Sequence, residues 1–180
     1  MAHGLLTDPM GYVDRKSKKK DYKDGFIFSI YNSILIGAAM LLIHMLTGVY
    51  SVKSLMISFW TGIAVMLLAH YFGAYLIWEF LRFIKRNTSY FAILSLIGYM
   101  LFYIAMAVAF TIMLLPFPFL NLIAPFIGIV LVTRSLGVFF RFLKDYADLS
   151  IVESFVVLIV VALSISIWVY WIFQPLSLFL

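Results

Sequence analysis

Few side chains in this chain can move a proton, hold an anion or bind a metal. The informative ones interrupt long apolar runs, because an ionisable group at membrane depth costs free energy and needs a reason. His70 is the deepest. At about 1.5 Å per helical residue it lies roughly 16 Å from the nearer end of its apolar stretch, close to mid-bilayer. Two roles fit it: a proton relay or ligand, or a neutral imidazole bonded to a neighbouring helix. His44, about 9 Å inside the opposite end of the preceding stretch, is placed to snorkel or to pair with a hydroxyl.

Glu79, Arg82, Arg134, Arg141 and Asp145 form a more coherent set. Glu79 and Arg82 are three residues apart and Arg141 and Asp145 four apart, so each pair can meet on its own helix. Arg134 and Arg141 share a helical face. Arg134, about 9 Å inside the end of its helix, can snorkel or reach Glu79 if the two helices touch. Such a set is either an anion or lipid-headgroup pocket or charge compensation at helix ends. Enzyme chemistry finds no footing. There is no paired-carboxylate site, no nucleophile with a base, no phosphate loop and no His-x-x-Glu-His spacing, so no catalytic residue is expected. With no cysteine and no carboxylate at the depth of His70, neither a metal nor another cofactor is expected. Ser150 and Glu153 have the spacing of a capping box ahead of an apolar run, a structural role. Asn87 or Thr88 could cap the helix that follows them.

The elements that must carry these side chains are membrane helices. With 65% hydrophobic and 12% charged residues, the chain has too little polar surface for a water-soluble globule. Five stretches approach or exceed the roughly 20 residues that a helical span requires: 26–50, 55–81, 90–115, 117–140 and 154–173. Inside lipid each backbone N–H and C=O must be paired within its segment or in a closed barrel, and these runs lack the alternation of barrel strands. The expected fold is therefore all-α, a polytopic membrane protein with a bundle of five transmembrane helices over 26–180 and a basic segment over 1–25. That segment does not read as a signal peptide, since no short apolar core ending in small residues stands ahead of the first span. Pro116 and Pro118 predict a tight apolar hairpin between the third and fourth spans, Pro125 a kink in the fourth, and Pro175 the fraying of the fifth. Gly62, Ala69 and Gly73 on the second span, and Gly98, Ala105 and Ala109 on the third, offer small surfaces for close helix approach.

Orientation follows from the Lys and Arg of the loops. Arg15, Lys16, Lys18, Lys19, Lys20 and Lys23 precede the first span, Arg82, Lys85 and Arg86 follow the second, and Arg141 and Lys144 follow the fourth. Lys53 is alone on the other side. The N-terminus is expected in the cytoplasm and the C-terminus outside, in the cell membrane. The run Arg15 to Lys20, at about 1 kcal/mol per charge near an anionic leaflet, points to anionic lipid as a partner. Much of the net charge of +5 sits there, so nucleic acid is set aside.

Leu5-Leu6-Thr7-Asp8-Pro9-Met10-Gly11-Tyr12, followed by a basic segment and a first span, resembles the start of prokaryotic members of the Yip family, five-span proteins related to the Ypt/Rab-interacting proteins. Gly98-Tyr99 in the third span and the fourth helix with its charged loop, 121–149, fit the same layout. The proline that often follows the Gly-Tyr pair is absent from 100–106, and the long N-terminal domain of eukaryotic members is missing, so no GTPase site carries over. The resemblance implies five helices, a cytosolic N-terminus and a role in membrane organisation or assembly.

The expected function is that of a non-enzymatic membrane protein acting through helix packing, lipid contact or association. It would be a homo-oligomer or an accessory subunit of a larger complex. Contact residues would be Arg15, Lys16, Lys18, Lys19, Lys20, Arg82, Arg134 and Arg141, and the intramembrane polar residues His44, His70 and Glu79. The alternative is a small transporter or channel using His70 and Arg134.

Overall fold

A helix satisfies its own backbone polar groups, which lets a single apolar segment enter lipid before it has found a neighbour. The computed structural model describes residues 8, 11, 12, 23–48, 50–86 and 88–177, and among them every regular element is a helix. In chain order these are α1 (Lys23–Leu46), α2 (Val52–Phe83), α3 (Tyr90–Leu114), the single turn α4 (Pro118–Asn121), α5 (Ala124–Ala147) and α6 (Ile151–Ser177). Four of them, α1, α2, α3 and α5, are long and apolar enough to cross a membrane. The fifth, α6, is apolar over its described stretch Ile151–Ser164.

The prolines act differently from their sequence expectation in two places. Pro125 does not kink a helix running from 117: α5 starts at Ala124, and Pro125 occupies its first turn, where an N–H would have no intrahelical partner anyway. The residues before it turn through α4, with Ile123 N–H donating to the Leu120 carbonyl at 2.9 Å. Arg141, Lys144 and Asp145 consequently ride on the last turns of α5 instead of on a loop. Pro175 lies inside α6, which continues to Ser177. The hairpin at Pro116 is present as a turn, closed by Phe117 N–H on the Leu114 carbonyl at 3.0 Å.

α3 is the hub. Two-thirds of its membrane window (67%) is buried, against 33% or less for α1, α2 and α5. It packs on α1 and α5 along most of its length and on α2 along part of it, while α6 lies against α2 and, more lightly, α5. Its buried face carries Ile93, Leu96, Tyr99 and Tyr103, and from α5 Val138, Phe139 and Leu143 fill against it.

Glycines decide how close the helices come. A Cβ on Gly25 of α1 would lie 2.4 Å from the Ser95 Cα of α3, and one on Gly98 would lie 3.0 Å from the Gly25 carbonyl oxygen. Further along α1, a Cβ on Gly62 of α2 would sit 2.9 Å from the Gly37 Cα. Gly62 of α2 and Gly98 of α3 thus both serve α1. Around Gly128 of α5, by contrast, nothing lies within 4 Å of such a Cβ.

Gly62→Val forces backbones apart and should destabilise the bundle by about 1–3 kcal/mol, the usual cost of overpacking. Gly128→Ala should cost nothing. Thermal unfolding of the two variants in the same detergent, compared with wild type, checks both.

Candidate functional site

Two polar layers emerge when the helices assemble. The inner layer fastens α1, α2 and α5 to α3. His70 of α2 is fully buried, and its Nε2 lies 3.0 Å from the Leu94 carbonyl oxygen of α3. A carbonyl only accepts, so Nε2 carries the proton, and Nδ1 is left buried without a hydrogen-bond partner. Asn32 of α1, equally buried, donates through Nδ2 to the Gly98 carbonyl at 3.0 Å. His70 Cε1 is 3.0 Å from where a Gly98 Cβ would stand, so both side chains converge on that glycine. Across the hub, Ser135 Oγ of α5 donates to the Met100 carbonyl of α3 at 3.0 Å. Each of these carbonyls can accept a second bond beside its helical one, which is how a side chain joins two helices without unwinding either.

Toward one end of α1 this layer continues into a contact that the sequence had not singled out. The hydroxyl of Tyr12 donates to Asp24 Oδ2, and both residues are buried. The Tyr12 ring meets Tyr99 edge-on at 5.6 Å. An Asx-type bond, Gly11 N–H to Asp8 Oδ1 at 3.0 Å, shapes the chain just before it.

The outer layer is the basic end, where the α2–α3 and α5–α6 connections meet. Ser89 N–H lies 3.4 Å from the Tyr146 hydroxyl, and Arg86 lies 3.6 Å from Asp148. α2 finishes in a Schellman turn: Lys85 N–H donates to the Arg82 carbonyl at 3.0 Å and Arg86 N–H to the Leu81 carbonyl at 2.8 Å. Lys85 takes the left-handed position at φ 60°, where glycine is the least costly residue. Trp78 Nε1 donates to the Thr88 carbonyl at 3.1 Å, pinning the start of α3 to α2. Thr88 therefore does not cap α3 with its side chain; Ser89 holds the cap position without a side-chain bond. At the start of α6, Ser150 N–H donates to Glu153 Oε2 at 2.7 Å and Glu153 N–H to Ser150 Oγ at 3.2 Å, the reciprocal pair of a capping box.

The residues expected from sequence distribute unevenly over these layers. Glu79 pairs with Arg82 at 3.5 Å and Arg141 with Asp145 at 2.6 Å, each within its own helix. Arg134 does not reach Glu79. α5 packs chiefly on α3, and Arg134 is exposed on it. Four of the five charges thus form local pairs on two helices. His44 Nδ1 lies 3.3 Å from the Met40 carbonyl of its own helix, in place of a hydroxyl on another. Arg15, Lys16, Lys18, Lys19, Lys20 and Asn87 lie outside the described residues.

Comparison with family models, curated proteins and solved structures returned no match. The chemistry of the site therefore stands on its own residues. The bridging roles of Asn32, Asp24, Tyr12 and Trp78 are not evident in the sequence, where Thr88 reads only as a cap. Their signal is weak in sequence because each bonds a group on another segment, 66 residues away for Asn32. An asparagine inside an apolar run was the one visible cue.

His70→Ala removes the α2–α3 bond and leaves the Leu94 side of the joint unfilled, so it should lower stability by about 1–3 kcal/mol. His44→Ala, at a partly exposed position bonded only to its own turn, should stay within about 0.5 kcal/mol of wild type. Detergent unfolding curves for the two variants separate a joining histidine from a local one.

Proposed function

We propose that this chain is a non-enzymatic protein of membrane organisation or assembly, an accessory subunit of a larger membrane complex or a homo-oligomer, with its basic end in the cytoplasm of a cell membrane. The observation that carries this is where the buried polar side chains go. His70, Asn32 and Ser135 join helices to α3, and Arg82 and Arg141 at the basic end pair within their own helices. That is the polar economy of a packing scaffold.

A free apolar side supports the same reading. Phe126, Ile129, Val130 and Val132 of α5 are exposed, and Gly128 among them has open space around it. Apolar residues exposed around much of α5, with an open glycine among them, suit lipid or a second membrane protein. The resemblance of Leu5 to Tyr12, and of Gly98-Tyr99, to prokaryotic members of the Yip family agrees with such a role.

Native mass spectrometry after gentle extraction should find the chain as an oligomer or with a co-extracted membrane protein. Gly128→Trp, which has room to point outward without disturbing the fold, should reduce that association at least severalfold. A chain that is monomeric under every gentle extraction condition overturns the assembly reading.

A further inference from the structure

The basic end holds a cavity of about 330 Å³ lined by Trp78, Arg82, Lys85, Arg86 and Thr88. Its cations are incompletely neutralised. The facing acids are Glu79, 3.5 Å from Arg82, and Asp148, 3.6 Å from Arg86, and Asp148 is almost fully exposed. Exposed pairs at such separations bind weakly. Lys85 has no ion-pair partner among the described residues; Glu153, bonded to Ser150, keeps its charge and acts on Arg86 from a distance without pairing with it. The walls are firm: Trp78 is fixed to Thr88, stands edge-on to Tyr90 at 6.1 Å and carries the Arg82 guanidinium 5.5 Å from its ring centre. Thr88, nine-tenths buried, keeps its hydroxyl oxygen without a hydrogen-bond partner.

A second, apolar cleft of about 290 Å³ lies deeper in the bundle between α2, α3, α5 and α6, lined by Ala69, Ile77, Ile97, Leu101, Leu158 and Ala162 among others. Ile77 of the cleft and Trp78 of the basic cavity share a turn of α2, about 100° apart around it. A cationic cavity at the end of membrane helices, next to an apolar cleft within their length, matches a ligand with an anionic phosphate and an acyl chain. We infer that the cavity formed by Trp78, Arg82, Lys85, Arg86 and Thr88 binds the phosphate of an anionic phospholipid from the adjacent leaflet, with one acyl chain in the Ala69 to Ala162 cleft. The guanidinium groups of Arg82 and Arg86 supply planar donors for phosphate oxygens and Lys85 a point charge, while the buried Thr88 forms part of the wall. The site does not depend on the chain joining an assembly.

The test supplies the purified full chain with equal amounts of phosphatidylglycerol and phosphatidylcholine of the same acyl composition and counts retained lipid by native mass spectrometry. Phosphatidylglycerol should be retained about tenfold over phosphatidylcholine, and Arg82→Gln with Arg86→Gln should bring the two near parity. Lys53→Gln, at the other end of α2, should change nothing. Ala162→Phe, which fills the cleft, should lower phosphatidylglycerol retention severalfold. If the double variant fails to fold, Lys85→Gln alone should still lower the preference. Inorganic phosphate at millimolar concentration should not displace the lipid; displacement would make this a free-anion site and overturn the lipid assignment. Equal retention of the two lipids by wild type, or an unchanged preference in the arginine and lysine variants, would also overturn it. A monomeric chain that keeps its preference removes the assembly reading and leaves this site standing.

Discussion

The close approach of α1 to α3 at Gly25 and Gly98 is the constraint from which the rest of the bundle follows. Lipid tails are as apolar as leucine, so burying leucine between helices gains little in a membrane; packing and cross-helix hydrogen bonds must hold the helices together. Both fall off steeply with separation. Only where no Cβ intervenes can Asn32 of α1 reach the Gly98 carbonyl and His70 of α2 reach Leu94 on the same stretch of α3. The glycine contact and the two polar bonds are thus one joint. Each would be weaker without the others.

That joint explains the uneven burial of the helices. α3 receives α1, α2 and α5, so its surface is spent on neighbours, whereas α5 and α6 meet the bundle along one side and keep the other apolar and exposed. It also accounts for the buried Asp24. This carboxyl lies at the start of α1, where the first-turn N–H groups and the helix dipole favour an acidic side chain. Tyr12 folds back over it with a hydroxyl donor and a ring against Tyr99. Tyr12, with Asp8 and Gly11 bonded beside it, is in this way part of the bundle's base.

At the basic end the same economy produces an open site. Helix termini leave backbone carbonyls unpaired, and α2 closes its own with a Schellman turn that positions Lys85 and Arg86 beyond its last residue. Placing lysine in the left-handed position costs roughly 1 kcal/mol relative to a right-handed one. The turn and the Trp78 bond then set three cations that are close in sequence, Arg82, Lys85 and Arg86, around a single cavity.

The all-helical membrane fold was legible in the chain itself, because continuous apolar length is a one-dimensional property and lipid permits few ways to satisfy a backbone. Local pairs were legible for a similar reason: Glu79 with Arg82, Arg141 with Asp145, and Ser150 with Glu153 depend only on helical spacing. What only the tertiary structure decided was partnership between segments. That Gly98 meets both Gly25 of α1 and His70 of α2, that His70 is a joint, and that Trp78 and Thr88 wall a cavity all depend on which helix faces which. Proline was misread for the same reason. Pro125 can kink a helix or open one, and the choice rests on whether the preceding turn finds its hydrogen bonds within α4. Apolar length sets how many helices enter the membrane; packing distance, which no spacing encodes, sets what their few polar groups do there.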